Sequence, residues 1–344
     1  MPLTTAEAGL LLLSLVVPFV VVLGSMPPFL RYLVRRGRVV DDVHKRPPVK
    51  VPSPAGPVLF AGAVVGEVVA YVTFGTMVPV ALLGISVVAF TVGIVDDLFV
   101  LGGKTKPLIL LLAGVPLLLS AYVQQDLFDP HLTFPLFGTT GEHVILYTAL
   151  AVVAFPVVAN AFNMMDSFNG ELSWFALLTS AALVFGAILQ ATFIAAYSPA
   201  RVAAALPLLA VAAGFLVFNK YPSKAFDGDS GSLLMGAMFA GLAVLDGVEV
   251  AAMIAIVPAI LNSFYTLSSV RGFVERRSME ARPTYIGDDG MLYASRERVA
   301  PITLVRLILL GGAMSERDLV RNVTALTLVA CVLSGIISFL TWGV

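Results

Sequence analysis

Ten apolar runs, each close to the length of a bilayer crossing, constrain this chain more than any other feature of its sequence. A helix needs about 20 apolar residues to cross the hydrocarbon core of a membrane. Of the 344 residues, 58% are hydrophobic and 12% are charged, whereas a soluble domain carries about 25% charged residues. We therefore predict an all-α polytopic membrane protein with about ten transmembrane helices in a single domain over residues 1–344, which excludes a soluble enzyme, a disordered chain and a nucleic-acid binder. The predicted spans lie near residues 10–30, 56–75, 77–95, 107–123, 143–162, 172–190, 201–218, 231–246, 248–270 and 319–341.

The basic residues of the predicted loops decide how these spans are oriented. Of the 21 Lys and Arg residues, all except Arg201 lie in the loops of one side or where the last of these loops meets the final span. Because Lys and Arg concentrate in cytoplasmic loops, we expect these inner loops in the cytoplasm and both termini outside. The first run has no basic segment before it and no cleavage site, which favours a retained span over a signal peptide. The inner loops cover residues 31–55, 96–106, 163–171, 219–230 and 271–318.

Two loops are long enough to have structure of their own. The outer segment 124–142 is rich in Phe, Thr, Pro and Gly, which indicates a short strand pair or an interfacial loop. The inner loop 271–318 is the longest and is expected to carry amphipathic or short strand structure.

Cys331 is the single cysteine, so a disulfide framework and a cysteine-based zinc site are both excluded.

Acidic and amide side chains gather in four of the inner loops, beside the basic ones. The segments read VVDDVHKRPPVKVPSPAG, GIVDDLFVLGGKTK, NAFNMMDSFNGE and NKYPSKAFDGDSGS. Carboxylate and amide oxygens suit Mg²⁺ or Mn²⁺, and Lys and Arg side chains suit phosphates. We therefore predict a metal–phosphate site at the cytoplasmic surface of the membrane.

These motifs also have purely structural interpretations. Asp96 and Asp97 end an apolar span, where the helix macrodipole disfavours negative charge, so the pair either faces solvent or lies near a cation. Asn160, Asn163 and Asp166 are spaced i, i+3 and should share one helix face. Such a row either contacts a ligand or forms hydrogen bonds between helices.

Other polar residues leave a second function open. Asp42 and Lys45 could form a surface ion pair worth under about 1 kcal/mol. Glu67 lies near the middle of the second span, where carboxylates are functional candidates. A secondary transporter for an anionic solute would place polar groups at that depth and would show an internal repeat. We find no repeat, and the clustering of polar residues at span ends favours an enzyme.

The order of the motifs resembles the polyprenyl-phosphate N-acetylhexosamine-1-phosphate transferases, which are ten-span membrane enzymes with cytoplasmic active-site loops. The archaeal and eukaryotic branch, the UDP-GlcNAc–dolichyl-phosphate GlcNAc-1-phosphotransferases, is the nearer match because of the segments NKYPSKAFDGD and GGAMSERDLVRNVTAL. The bacterial phospho-MurNAc-pentapeptide translocases carry a His-rich motif in the last inner loop, and this chain has no His between Arg271 and Arg317. The matching motifs are D-x-x-K at Asp42–Lys45, D-D at Asp96–Asp97 with Lys106 nine residues later, N-x-x-N-x-x-D/A-x-x-N-G at Asn160–Gly170, and N-x-Y-P-S-[KR]-x-F-x-G-D at Asn219–Asp229.

The resemblance implies transfer of N-acetylglucosamine 1-phosphate from UDP-GlcNAc to a membrane polyprenyl (dolichyl) phosphate with release of UMP, the first step of lipid-linked glycan assembly. It implies Mg²⁺, or Mn²⁺ in its place, held by Asn163 and Asp229. Asp96 or Asp97 is the candidate base for the lipid phosphate, although that phosphate is largely ionised at pH 7. The implied catalytic residues are Asp42, Lys45, Asp96, Asp97 and Lys106, and the implied substrate-binding residues are Asn160, Asp166, Asn169, Arg276, Arg277 and Arg282.

The sugar, the lipid and the assembly stay open at this point. GlcNAc is the first choice among the UDP-N-acetylhexosamines, and the lipid is either dolichyl or undecaprenyl phosphate. The lack of a long outer insertion and of a retention signal favours a prokaryotic, archaeal plasma membrane over the endoplasmic reticulum. The family includes homodimers, so a homodimer is one option, and no nucleic-acid partner is expected.

Overall fold

The computed structural model describes residues 4–125, 127, 130–135, 137–141, 143–194, 198–272 and 279–343. In this part of the chain, long helices form a bundle, and three short antiparallel strand pairs lie in the loops. The elements in chain order are α1 (Thr5–Arg35), β1 (Val39–Asp42), β2 (Val49–Pro52), α2 (Gly56–Phe74), α3 (Met77–Phe99), α4 (Thr105–Leu110), a 3₁₀ turn (Leu111–Ala113), α5 (Gly114–Val123), β3 (Thr133–Phe134), β4 (Gly138–Thr139), α6 (Val144–Met164), α7 (Glu171–Phe193), α8 (Pro199–Asn219), α9 (Gly228–Leu245), α10 (Glu249–Ala255), α11 (Val257–Ser269), β5 (Thr284–Ile286), β6 (Leu292–Ala294), α12 (Leu304–Leu309) and α13 (Glu316–Trp342).

The described helices confirm the polytopic helical fold. Nine of them are long and apolar enough to cross a membrane, with α4, the 3₁₀ turn and α5 acting together as one crossing over Thr105–Val123. Helices α10 and α11 together supply a tenth crossing, which bends by 67° at its break. Pro258 lies in the first turn of α11, and because proline has no backbone N–H it cannot donate a hydrogen bond back into α10. All ten crossings lie within a few residues of the predicted runs.

Helix α9 forms the centre of the bundle. Every residue from Ser230 to Leu245 is buried, and the helix packs against α2, α3, α6, α7 and α8. Glycines allow this approach: a Cβ at Gly93 of α3 would lie 2.4 Å from the Cα of Ser230, and a Cβ at Gly236 would lie 2.7 Å from the Cα of Ala159 in α6. Since small residues let helix backbones approach closely in a membrane, the ends of α3 and α6 meet at the start of α9.

The loops at this end of the bundle, called here the site face, converge on the start of α9. Phe226 donates its backbone N–H to the carbonyl of Pro52 in β2 at 3.0 Å, and Gly56 donates to the carbonyl of Asp227 at 2.9 Å. The β1–β2 hairpin, which the sequence did not predict, is therefore bound directly to the segment before α9. The pair β3–β4 confirms the expectation for segment 124–142, and the pair β5–β6 confirms the short strands expected in loop 271–318.

Two helix boundaries differ from the predicted ones in ways that affect the site. Helix α6 ends at Met164, so Asp166 lies in the following loop and does not share a helix face with Asn160 and Asn163, as the spacing had predicted. Helix α13 begins at Glu316, three residues before the predicted boundary, because the Ser315 hydroxyl accepts the N–H of Asp318 at 3.2 Å. Serine is a favoured residue at this N-cap position.

Candidate active site

The position of Asp229 depends on a carboxylate from another helix. Asp97, near the end of α3, accepts the backbone N–H of Asp229 at 2.8 Å and that of Ser230 at 3.0 Å. Gly228 has a φ of 71°, and a Cβ at this position would lie 2.7 Å from Oδ1 of Asp97. A carboxylate is favourable at a helix N-terminus, where backbone N–H groups lack partners and the macrodipole is positive. Asp97 therefore anchors the first turn of α9 and fixes Asp229 in it.

Lys106 brings a positive charge to the same place. It lies in the first turn of α4 and is 7% exposed. Its ammonium group pairs with Asp96 and lies 3.1 Å from Oδ2 of Asp229. Asp96 also accepts the backbone N–H of Leu101. The predicted Asp pair thus has the nearby cation that its position at a helix C-terminus requires.

Asn163, at the end of α6, completes this group, which we call the α9 cluster: Asp96, Asp97, Lys106, Asn163 and Asp229. The Asn163 amide donates to Asp229, and it donates to the Ser232 hydroxyl at 2.8 Å. The cluster has three carboxylates and one ammonium group, which leaves two negative charges. The side chain of Asp229 is 29% exposed, against 4% for Asp96, so Asp229 is the better placed of the two to meet a ligand.

The α9 cluster fits a divalent cation. Carboxylate and amide oxygens are the ligands that Mg²⁺ and Mn²⁺ take from proteins. In this structure the amide nitrogen of Asn163 faces Asp229, and rotating the amide by half a turn would present its oxygen instead, because the two ends have nearly the same shape. Asp229 and Asn163 are therefore the two residues that could hold a metal ion.

Asp227 differs from its neighbour Asp229 in its surroundings. It is fully buried. Burial, together with the nearby carboxylates of Asp166 and Asp97, raises the pKa of Asp227 well above its usual range. Burial therefore disfavours the charged form of Asp227, which distinguishes it from Asp229, whose carboxylate lies 3.1 Å from the Lys106 ammonium.

A second polar group lies between the β1–β2 hairpin and α13. We call it the hairpin network: Asp42, Lys45, Asn169, Ser223 and Glu316. Lys45 pairs with Glu316 and lies 3.5 Å from Asp42. The side chain of Lys45 is 18% exposed and that of Asp42 is 4% exposed. Asp42 and Lys45 therefore do not form the surface ion pair that the sequence had left open.

Asn169 connects the members of this network. Its side-chain amide donates to Glu316 and, at 3.0 Å, to Asp42, and its oxygen accepts the backbone N–H of Ser223 at 2.7 Å. Asn169 is 1% exposed, and both of its amide hydrogens are donated to protein carboxylates. Its predicted contact with the substrate stays a prediction.

Known proteins are similar to this chain in sequence. The sequence profile of glycosyl transferase family 4 matches residues 79–247, from α3 to just beyond α9. A protein of Sulfolobus acidocaldarius, named UDP-N-acetylglucosamine–dolichyl-phosphate N-acetylglucosaminephosphotransferase, is 26% identical over 68% of this chain and 70% of its own length. A Bacillus subtilis protein, named undecaprenyl-phosphate N-acetylglucosaminyl 1-phosphate transferase, is 28% identical over 68% of this chain and 63% of its own length. A glycosyltransferase of Methanocaldococcus jannaschii is 29% identical over 81% of each chain; all three names are provisional.

The central segment of the chain is therefore similar to glycosyl transferase family 4. The α9 cluster lies entirely within the matched segment 79–247. The hairpin network does not, because Asp42 and Lys45 precede the segment and Glu316 follows it.

Of the remaining predicted residues, those that the structure describes are not members of either group. Asn160 donates its side-chain amide to the carbonyl of Pro156 in its own helix, at 2.7 Å. Asp166 is half-buried and lies near Asp227, and Arg282 is exposed. Arg276 and Arg277 lie outside the described residues.

Sequence reasoning missed Glu316 and two serines. Glu316 belongs to the segment GGAMSERDL, whose sequence indicated only a family resemblance. An acidic residue at the start of an apolar span was the available signal, since a carboxylate there needs either water or a cation. Ser223 and Ser232 contribute a backbone N–H and a hydroxyl, and no sequence pattern distinguishes them from other serines.

Proposed function

We propose that this chain transfers N-acetylglucosamine 1-phosphate from UDP-GlcNAc to a membrane polyprenyl phosphate, with dolichyl phosphate as the first candidate, and releases UMP. An oxygen of the lipid phosphate attacks the β-phosphorus of UDP-GlcNAc. The bond between that phosphorus and the oxygen that bridges to the α-phosphorus breaks, and UMP leaves with that oxygen. Both substrates are anionic, so the site must neutralise the approaching phosphates and the departing UMP.

The α9 cluster is the observation that carries this proposal. Its members come from the ends of α3 and α6 and from the starts of α4 and α9, and each of these helices is part of a membrane crossing. The cluster therefore lies where hydrocarbon meets water. A polyprenyl tail stays in hydrocarbon and a nucleotide sugar stays in water, so a site at this boundary can reach both.

Lys106 is the cation that we assign to the phosphates. Its ammonium group is held between Asp96 and Asp229, so a phosphate that enters the cluster meets a positive charge in a fixed place. Asp96 positions Lys106, and Asp97 positions the start of α9 and thereby Asp229. Since the lipid phosphate is largely ionised at pH 7, these assignments require no proton transfer to either aspartate.

We propose Mg²⁺, with Mn²⁺ as the alternative, as the ion held by Asp229 and Asn163. When bound, such an ion polarises phosphoryl oxygens as a Lewis acid. Asp229 would supply a carboxylate oxygen and Asn163 its amide oxygen. The two excess negative charges of the cluster support a divalent ion.

We place the site face in the cytoplasm of an archaeal cell, with both termini outside. The distribution of Lys and Arg supports this, since Arg201, the exception, lies in the first turn of α8 at the opposite face. The names of the Sulfolobus and Bacillus relatives both contain N-acetylglucosamine, which supports that sugar. The two names differ in the lipid, so both lipids belong in the test.

UMP release by the purified protein in detergent with Mg²⁺ tests the proposal. The donors are UDP-GlcNAc, UDP-GalNAc and UDP-glucose, each with dolichyl phosphate, with undecaprenyl phosphate and without lipid. We expect release that requires lipid and is fastest with UDP-GlcNAc. The variant Asp229→Ala is the matched negative control.

Three outcomes would change the conclusion. Equal UMP release with and without lipid would contradict a transfer to lipid. A faster rate with another donor would replace the sugar and leave the reaction class in place. If protein with a cooperative thermal transition released no UMP with any donor or lipid, the proposed function would be wrong.

A further inference from the structure

Glu316, the first residue of α13, lies at the centre of the hairpin network. One carboxylate oxygen accepts the backbone N–H of Asn169 at 2.9 Å and also its side-chain amide, and the other pairs with Lys45. We propose that Glu316 is a positioning residue for the nucleotide-sugar side of the site. It holds the β1–β2 hairpin through Lys45 and the loop between α6 and α7 through Asn169. This inference rests on the proposed function.

Glu316 is one of the two carboxylates that hold the Lys45 ammonium group. The network contains two carboxylates, Asp42 and Glu316, and one ammonium group. The Lys45 ammonium also lies 4.4 Å from the centre of the Tyr221 ring, a cation–π contact that adds to its placement. Without the Glu316 charge, Lys45 keeps Asp42 at 3.5 Å as its remaining anionic partner, and a long side chain with one partner samples more positions.

Asn169 transmits the position of Glu316 to the α6–α7 loop. Its three side-chain hydrogen bonds reach the hairpin, α13 and the segment before α9. The loop has little room to shift, because a Cβ at Gly170 would lie 3.1 Å from the Cα of Lys220 and Gly170 has a φ of 84°. The α6–α7 loop is therefore held by the hydrogen bonds of Asn169 and by the close packing of Gly170 against Lys220.

The location of the network identifies which substrate it affects. Its members lie in the hairpin, in two loops and at the first residue of a span, so they are on the water side of the span ends. The nucleotide sugar approaches from water, whereas the lipid tail approaches from within the bilayer. Loosening the network should therefore weaken the binding of the donor and leave the binding of the lipid unchanged.

The test compares Glu316→Gln with Arg321→Gln. Glutamine keeps an acceptor oxygen for Asn169 but turns an NH₂ group toward the Lys45 ammonium. Arg321 lies in the same helix, is 63% exposed and pairs with Asp318 at 3.0 Å, so its variant controls for the loss of an exposed ion pair. We expect Glu316→Gln to raise the KM for UDP-GlcNAc about 10-fold, with an unchanged KM for the lipid, and Arg321→Gln to change neither.

Two further measurements test the inference, and the first of them does not need turnover. Hydrogen exchange in the peptide covering residues 163–171 should be faster in Glu316→Gln than in the wild type. The double variant Lys45→Met/Glu316→Gln should show a KM effect well below the product of the two single effects, because each change removes the same pair.

Unchanged exchange in residues 163–171 would overturn the inference whatever the activity. An unchanged KM for UDP-GlcNAc in an active protein would also overturn it, even with a lower unfolding temperature. A wild type that releases no UMP would refute the proposed function instead, and the exchange experiment would still decide whether Glu316 positions the loop.

Discussion

Replacing Asp97 with asparagine tests whether this carboxylate anchors α9. Asp97 accepts two backbone N–H groups, from Asp229 at 2.8 Å and from Ser230 at 3.0 Å, with one carboxylate oxygen for each. Asparagine has one acceptor oxygen and turns an NH₂ group toward the second N–H. One buried donor then loses its partner, which costs about 1–3 kcal/mol, and the helix N-terminus loses a negative charge worth about 0.3–2 kcal/mol. We expect a total loss of stability of about 2–4 kcal/mol.

The same change should reduce turnover more than it reduces stability. One of the two N–H groups belongs to Asp229, so the proposed metal ligand moves when its anchor is lost. A displacement of about 1 Å at a reacting site can cost about 100-fold in rate. We therefore expect Asp97→Asn to lower lipid-dependent UMP release by about 100-fold or more, measured at a temperature at which the variant is still folded.

A helix cap at the opposite face provides the control. The Ser198 hydroxyl accepts the N–H of Ala200 at 3.0 Å at the start of α8, and Ser198→Ala should cost about 1 kcal/mol without changing turnover. Thermal unfolding in detergent and UMP release are measured on both variants. An Asp97→Asn protein with near wild-type turnover would refute the placement of Asp229 by Asp97, and an unchanged unfolding temperature would refute the anchoring itself.

Three further predictions concern the metal, the cation and pH. EDTA should stop UMP release and Mg²⁺ should restore it, whereas Asp229→Ala should release no UMP in either condition. Undiminished UMP release by Asp229→Ala would remove Asp229 from the metal site. Lys106→Met should lower kcat/KM for UDP-GlcNAc by about 100-fold or more, and a near wild-type value in the same assay would contradict its role. At the opposite face, burial raises the pKa of Asp246 from 3.8 to about 7, against the opposing effect of Arg201, so the folded state binds this proton more tightly than the unfolded state. As the pH rises from about 4 to about 7, the free energy of unfolding should therefore fall by about 4 kcal/mol, and the unfolding temperature should fall with it. A fall of the same size in Asp246→Asn would contradict this assignment.

The membrane-spanning fold could be predicted from the sequence because it depends on local properties. Each apolar run is long enough to cross a bilayer by itself, whatever its neighbours are, since backbone groups in hydrocarbon must form hydrogen bonds within the helix. The bend between α10 and α11 was harder to predict from the sequence. The run 248–270 is continuous in hydropathy, and its break depends on how the chain passes Ile256 and Pro258.

The sequence indicated the residues of the α9 cluster, but it did not indicate the contacts between them. Spacing and residue type selected Asp97 and Asp229, but these residues are 132 positions apart. Which N–H groups a carboxylate accepts depends on the packing of α3 against α9, and that packing depends on glycines whose neighbours are not local. Lys45 and Glu316 are 271 positions apart, and the pattern of neither segment indicates the other.

The α9 cluster and the hairpin network differ in the parts of the chain that supply their residues. The α9 cluster comes entirely from the segment 79–247 that matches the family profile, and Lys106 and the proposed metal ion suit phosphates, which every sugar nucleotide carries. The hairpin network takes Asp42 and Lys45 from before that segment and Glu316 from after it. If the network shapes the nucleotide-sugar side, a change of donor sugar requires a change in these flanking segments while the α9 cluster stays as it is. Exchanging the flanking segments between two related proteins with different donors should then exchange the donor preference, and exchanging the central segment with Asn169 and Ser223 retained should not.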